Sequence, residues 1–400
     1  MNFRRLRDGS IMICGLALAG CRSLEIAESR PLGAETTPTL FNVHYPLALK
    51  LSGPFDEAFK KARAGEEIQP GDARDEGPFS ATLSFNMPSG ESVSVAAQAK
   101  VRGQSSLKEC SFSKMRFTIA EDAAPQFFYL PQFKLGTHCV TNPIVTYTPI
   151  GRLLQDIAAH REAFVYALLE RLGFAVPKSR SLEVAYEDTS ESSRWSDRVI
   201  KRKAFLFELI KPVVARYGFA DSRDDDVPWT TEDPSKVAKL ETSKMMFAQA
   251  LTGNWDWRLT LDKAEIATRN AEAAAQGKTF LHQRNVVVFV NADGTLVPVP
   301  SDFDLAVMVT GKVRDSVLGD SVFPTEKKEV RLAAQNILKA KESFDSSVFE
   351  ETKAFFVSKK SLIDSLVASY PLDPASRQMI RSQVQAFYKA MDKVLASGTP

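Results

Sequence analysis

The sequence predicts an α+β fold in two lobes, a strand-rich N-terminal half followed by a mostly helical C-terminal half. Apolar and polar residues alternate between Phe79 and Val101, the period of a half-buried strand. Apolar residues recur at helical spacing from Arg152 to Leu172 and again beyond Glu326. Between those helical stretches lies one apolar hairpin, Phe280 to Val290, turning at Asn291 to Gly294 into Thr295 to Val299.

The elements follow in order. Phe79, Ala81, Leu83 and Phe85 share one face of a strand, and Val93, Val95, Ala97, Ala99 and Val101 share one face of the next. Asn86 to Gly90 joins them as a turn carrying Pro88 and Gly90. This patterning describes an antiparallel sheet with one buried face. Lys114 to Ile119 and Phe133 to Val140 are further strands. Leu153, Ile157, Phe164, Leu168 and Leu172 mark a long helix that Gly173 ends. Strands follow near Leu182 to Tyr186 and Ala204 to Ile210, with the polar Glu187 to Arg202 as the loop between them. Pro212 opens a short helix, Pro234 to Leu251 is another, and the helices after Glu326 break near Pro371 and Pro374. The expected domains are residues 41–210, the strand-rich lobe with its connecting helix, and 211–400, the helical lobe with the hairpin.

The first residues predict export. Arg4, Arg5 and Arg7 precede the apolar run Ile11 to Ala19, which is too short to span a bilayer and reads as a secretion signal over residues 1–20. It closes on Leu18-Ala19-Gly20-Cys21, which resembles the bacterial lipobox. The expectation is a lipid on Cys21 and attachment to a membrane of the bacterial cell envelope. The plainer alternative is an ordinary cleaved signal that contains Cys21. Residues 21–40, rich in Ser, Glu, Pro, Gly and Thr without an apolar period, read as a tether.

The formal net charge is +2, and removing the signal takes away Arg4, Arg5, Arg7 and Asp8, leaving a nearly neutral chain. Nucleic acid is not an expected partner. Of the 4 cysteines, Cys14 leaves with the signal and Cys21 carries the lipid. Cys110 and Cys139 remain, and in an oxidising compartment they are expected to pair, stabilising the fold by about 3–4 kcal/mol. Two buried thiols are the alternative. The 4 histidines are scattered and no Cys-x-x-Cys occurs, which argues against zinc.

Several residues could carry chemistry. Asp302-Phe303-Asp304 follows a strand, and an extended backbone there would turn both carboxylates to one side, where they could bind a hard cation. Asp256 sits between Trp255 and Trp257 at the exit of a helix. Asn285 starts the apolar strand Val286 to Val290, where a polar side chain can leave the core. Arg102-Gly103-Gln104-Ser105-Ser106 follows a strand, and its N–H groups and hydroxyls could cradle phosphate. Lys134 lies on a strand and could meet Glu208, a carboxylate among phenylalanines that needs a partner. Lys114 and Arg116 are rival cations. Each motif alone has a bland counterpart: surface aspartates in a turn, a capping residue, a hairpin loop, solvated charges.

In this order the pieces resemble the CotH-type kinase family of atypical, protein-kinase-like proteins. Arg102 to Ser106 is similar to the family's Arg-Gly-Asn-Ser-Ser/Thr loop, with Gln104 in place of Asn, and Lys114 to Phe117 to the basic strand after it. Leu169 to Leu182, Ala204 to Glu208, Asn254-Trp255-Asp256 and Asp302 to Asp304 resemble later elements, and Cys110-Ser111-Phe112 with His138-Cys139 resembles exported relatives. Lys263 to Gly277 is longer than the family's compact loop and reads as a surface excursion.

The resemblance implies a two-lobed protein-kinase-like fold and transfer of the ATP γ-phosphate to a protein hydroxyl, with a protein of the envelope as substrate. Asp256 would orient or deprotonate the acceptor. Asn285 with Asp302 or Asp304 would hold Mg²⁺ or Mn²⁺. Lys134 or Lys114 would neutralise phosphate charge, braced by Glu208, and Arg102, Gly103, Ser105 and Ser106 would cover the nucleotide. ATP is scarce outside the cytoplasm, so an exported pseudokinase or a scaffold that binds a partner stands as the alternative. A metal-dependent hydrolase using Asp302 and Asp304 ranks behind both.

Overall fold

The computed structural model describes residues 39–41, 44–64, 77–87, 90–103, 105–140, 144–223, 234–277, 280, 282–318 and 323–397. The expected signal, Cys21 with its expected lipid, most of the expected tether and Gln104 lie outside the described residues. The described residues all belong to one compact unit.

The first half of the chain supplies β1 (Leu47–Gly53), α1 (Phe55–Ala64), β2 (Phe79–Asn86), β3 (Ser92–Arg102), α2 (Ser105–Glu109), β4 (Lys114–Ile119), β5 (Gln132–Gly136), α3 (Ile157–Arg171), β6 (Ser179–Asp188) and β7 (Val199–Phe207). The strands close into a barrel in the order β1-β2-β3-β4-β5-β7-β6. Its pairings are antiparallel except that of β1 with β6, which is parallel and seals the barrel with Leu49 opposite Val184 and Leu51 opposite Tyr186. Leu49, Leu51, Leu83, Val95, Met115, Phe117, Phe133, Leu135, Leu182 and Leu206 are among the buried residues of its core.

This closed barrel corrects the expected two-lobed, protein-kinase-like fold. The strands expected in the N-terminal half exist, but they belong to a sealed mixed barrel and not to a small antiparallel sheet. The closing strand, β1, pairs in parallel with a segment far along the chain, so no hairpin signal announces it. The expected loop Glu187 to Arg202 is partly strand, because Ile200 and Ala204 are buried while Lys201 between them faces solvent.

The second half supplies α4 (Ile210–Tyr217), β8 (Asp221–Arg223), α5 (Lys239–Thr252), β9 (Arg258–Leu259), α6 (Lys263–Ala275), β10 (Gln283–Arg284), β11 (Val286–Val290), β12 (Leu296–Pro300), α7 (Val307–Thr310), α8 (Lys328–Ser343), α9 (Ser346–Ser358), α10 (Lys360–Ser369) and α11 (Pro374–Ala396). The expected hairpin is β11–β12, joined on its other edge by β8. The expected surface excursion is the helix α6, capped by Asp262, with Ile266 its buried residue.

Phe205 and Phe207, on the outer face of β7, are buried in one core with α3, α5, α8 and α11. That shared core welds barrel wall to helices. Gly136 in β5 makes the close packing there possible, since a Cβ at that position would fall inside the Phe205 ring. Among the described residues no helix is long and apolar enough to cross a membrane.

Candidate functional site

The site forms where the outer barrel wall at β4, the helix α3 and the chain leaving β12 meet. Lys114 is the first residue of β4 and alternates with the inward Met115, which turns its ammonium out of the barrel. Asp302 and Asp304 follow β12. Asp302 does not continue the extended backbone: its φ is +49°, in the left-handed region that Asp tolerates better than most residues. The two carboxylates therefore converge through a kink and not through strand alternation. Lys114 Nζ lies 3.3 Å from Asp302 Oδ1 and 2.9 Å from Asp304 Oδ2.

Arg152 supports this pair from behind. The expected helix start at Arg152 is instead a short bridge, Tyr147 to Leu153, and α3 begins at Ile157. Thr148 Oγ1 accepts the Arg152 N–H at 3.1 Å, which fixes the backbone. The buried guanidinium then donates from Nε to Asp304 Oδ2 at 3.0 Å and pairs through Nη1 with Glu109 Oε2 at 2.6 Å. Burial alone would raise the Asp304 pKa, but Lys114 and Arg152 outweigh it and hold the carboxyl well below the usual range. Burial likewise opposes the Lys114 charge, and Asp302 and Asp304 outweigh that and raise its pKa.

From α3, Glu162 and Tyr166 reach the same place, one helical turn apart. Glu162 is 5% exposed, and its carboxyl has no hydrogen-bond partner among the described residues. Burial pushes its pKa up to about 8, against the pull of Lys114. The Asp302 N–H donates to Tyr166 Oη at 3.3 Å.

Asp256 stands on the neighbouring side. Gly253 caps α5 with φ +67°, and a Cβ there would lie 2.6 Å from Val307 Cβ, so glycine lets the chain turn toward the site. Asn254 Oδ1 then accepts the Asp256 N–H at 3.2 Å, and Arg284 Nη2 pairs with Asp256 Oδ1 at 2.8 Å. Asn285, with φ +52°, donates from Nδ2 to Asp256 Oδ2 at 3.3 Å, while its amide oxygen has no partner among the described residues. Burial raises the Asp256 pKa; Arg284 opposes this, and Asp302 and Asp304 add to it, which records their proximity. Left-handed non-glycine residues such as Asn285 and Asp302 gather where a fold holds a site in a set geometry.

No family model matches the chain, and no curated protein matches it. The functional reading therefore rests on residues and geometry.

The structure brings together Lys114, Asp256, Asn285, Asp302 and Asp304. It separates Glu208, which forms a two-pronged ion pair with Arg216 at 2.7 Å and accepts the Lys178 N–H at 2.8 Å. Glu208 thus meets Arg216 in place of the expected Lys134 or Lys114. Lys134 lies in β5 opposite Arg116, and Lys114 is the lysine that meets both aspartates. Arg102 ends β3 with its guanidinium 5.3 Å from the Phe207 ring centre and its buried Nε without a hydrogen bond among the described residues. Gly103 takes φ +96°, but Ser105 and Ser106 open the one-turn helix α2, and Ser106 is buried. Cys110 and Cys139 form the expected disulfide.

Glu162, Tyr166, Arg152, Glu109 and Arg284 are site residues that sequence reasoning missed. Glu162 precedes the apolar run Ala163 to Leu169, but it follows His160 and Arg161 and so reads as an ordinary polar helix position. Among the described residues no group of three or more His, Cys, Asp or Glu side chains could hold a metal. Asp302, Asp304 and the Asn285 amide oxygen are hard oxygen donors all the same. Their chemistry fits Mg²⁺, which keeps several waters and takes its remaining ligands from phosphate.

Proposed function

We propose that the protein is an ATP-dependent phosphotransferase that acts on a protein hydroxyl, held at a membrane of the cell envelope through Cys21. The observation that carries this reading is the Lys114 ammonium set between Asp302 and Asp304, with Asp256 close enough to feel both carboxylates. Phosphoryl transfer depends on positioning and charge neutralisation around a polyanion, and this cluster offers both signs of charge in a half-buried place.

In the proposed reaction the acceptor oxygen attacks the γ-phosphorus and the bond to the β,γ-bridging oxygen breaks, releasing ADP. Asp256 takes the hydroxyl proton, helped by burial that raises its affinity for one. Lys114 moves toward the phosphates as they arrive. Asp302, Asp304 and Asn285 would hold Mg²⁺ or Mn²⁺, which supplies further neutralisation of the phosphate oxygens. Arg152 keeps Asp304 ionised and aimed.

One observation favours a second reading, an exported pseudokinase or scaffold. Asp304 is satisfied by Lys114 and Arg152, and Asp256 by Arg284, so the site is electrically complete by itself. Incubating the chain from Arg22 with labelled ATP and Mg²⁺ or Mn²⁺, beside Asp302→Asn and Asp256→Ala, separates the two. Transfer by the parent and its loss in both variants is expected. Equal signal from all three would sink the kinase reading, and metal-dependent nucleotide binding without turnover would select the pseudokinase.

A further inference from the structure

A cavity of about 330 Å³ is walled by Trp255, Tyr147 and Thr148 and by Lys312, Arg314 and Asp315. Trp255 is the residue before Asp256, and Gly151, also at the cavity, is the residue before Arg152. Whatever fills the cavity therefore touches the chain neighbours of Asp256 and of Arg152. Trp255 packs on one side against the buried Val307, Val313, Leu318 and Leu332 and forms cavity wall on another, which makes it a rigid platform.

The charge of the cavity is one-sided. Lys312 Nζ sits 5.0 Å from the centre of the Tyr147 ring, and Tyr147 Oη donates to the Thr310 carbonyl at 3.1 Å, which fixes that ring. Arg314 is exposed, and its guanidinium has no ion pair or hydrogen bond among the described residues. The carboxylate in the wall, Asp315, is engaged by Lys328 from α8. The cavity thus presents uncompensated positive charge over aromatic walls, and its complement is an anionic group on an extended chain.

We propose that this cavity is the docking site of the acceptor, and that the acceptor is a polypeptide whose target hydroxyl is flanked by acidic side chains. The proposal rests on the phosphotransferase reading for the word acceptor, but the docking itself does not require turnover. Lys312 and Arg314 take the flanking carboxylates, Trp255 and Tyr147 line the backbone, and the hydroxyl is delivered to Asp256.

The test measures docking first, without nucleotide. A fluorescein-labelled peptide with one serine among glutamates is titrated with the chain from Arg22 at low salt and followed by anisotropy, beside the same peptide with glutamines. The glutamate peptide should bind about tenfold tighter, and Lys312→Glu and Arg314→Glu should each weaken it about tenfold. Lys60→Glu, a charge-matched change on α1, should leave it unaltered. With labelled ATP and metal, Arg314→Glu should lose its efficiency in KM more than in kcat. Equal binding of the two peptides, or equal weakening by Arg314→Glu and Lys60→Glu, overturns the proposal. So does displacement of the peptide by ATP without metal, which would give the cavity to the nucleotide, or equally tight Arg314-dependent binding of a single-stranded oligonucleotide. Selective binding lost in Arg314→Glu but with no phosphate transferred upholds the docking site and fails only the phosphotransferase reading.

Discussion

Replacing Glu162 by glutamine isolates a buried carboxyl that the fold holds neutral. The side chain is 5% exposed, lies on the buried face of α3, and its carboxyl pKa stands at about 8 against an ordinary 4.5. A carboxyl whose folded pKa is raised keeps its proton in the folded chain while the unfolded chain releases it. Stability is therefore lost as pH rises from the unfolded value toward the folded one. Glutamine matches the protonated acid in shape and carries no titrating proton. Parent and Glu162→Gln should be equally stable near pH 4, diverge between about pH 4.5 and 8, and run parallel above that. A span of that width corresponds to roughly 3–5 kcal/mol in favour of the variant at the alkaline end. Comparing the two proteins cancels the contributions of His44 and His160, whose pKa values burial lowers in both. Urea unfolding at a series of pH values, read at the midpoint with constant slope, measures the difference. Profiles that stay parallel across the whole range would refute the claim that Glu162 is held neutral.

Arg152→Met should cost about 3 kcal/mol, because it leaves Glu109 without its partner and Asp304 with Lys114 alone; the urea midpoint reads this. Gly253→Ala should cost about 1–3 kcal/mol through the forced φ and the clash with Val307, and should lower phosphate transfer as Asp256 moves. Reducing the Cys110–Cys139 bond, which spans 29 residues of sequence, should lower stability by about 3–4 kcal/mol, measured by unfolding with and without reductant. Below neutral pH the Asp304 ion pairs should hold until pH falls through its depressed pKa, so acid unfolding of Asp304→Asn should lack the last part of the parent's transition.

The sequence carried Asp256, Asn285, Asp302 and Asp304 openly, since each is polar at the end of an apolar element, where a side chain must leave the core. Lys114 and Lys134 could not be ranked, because period two turns both out of the barrel and only the meeting of β4 with the β12 exit chooses between them. Glu208 misled for a local reason: its demand for a partner was real, but Arg216, one helix later, meets it. Glu162 and Tyr166 were hidden because α3 is buried almost all round and shows no polar face to contrast with them. The barrel was illegible for the same reason as β1. Leu47, Leu49 and Leu51 alternate as a strand should, yet parallel closure onto β6 is a long-range event without local signature.

Cys110 follows Glu109 directly, Glu109 grips Arg152, and Arg152 grips Asp304. Joining Cys110 to Cys139 therefore does more than shorten the unfolded chain. It pins the end of α2, a helix too short to hold itself, and with it the far end of the brace behind the aspartate. Wherever thiols stay reduced, the brace behind Asp304 loses its covalent tie to Cys139 and keeps only non-covalent ones, such as Arg63 on the Cys110 and Ser111 carbonyls.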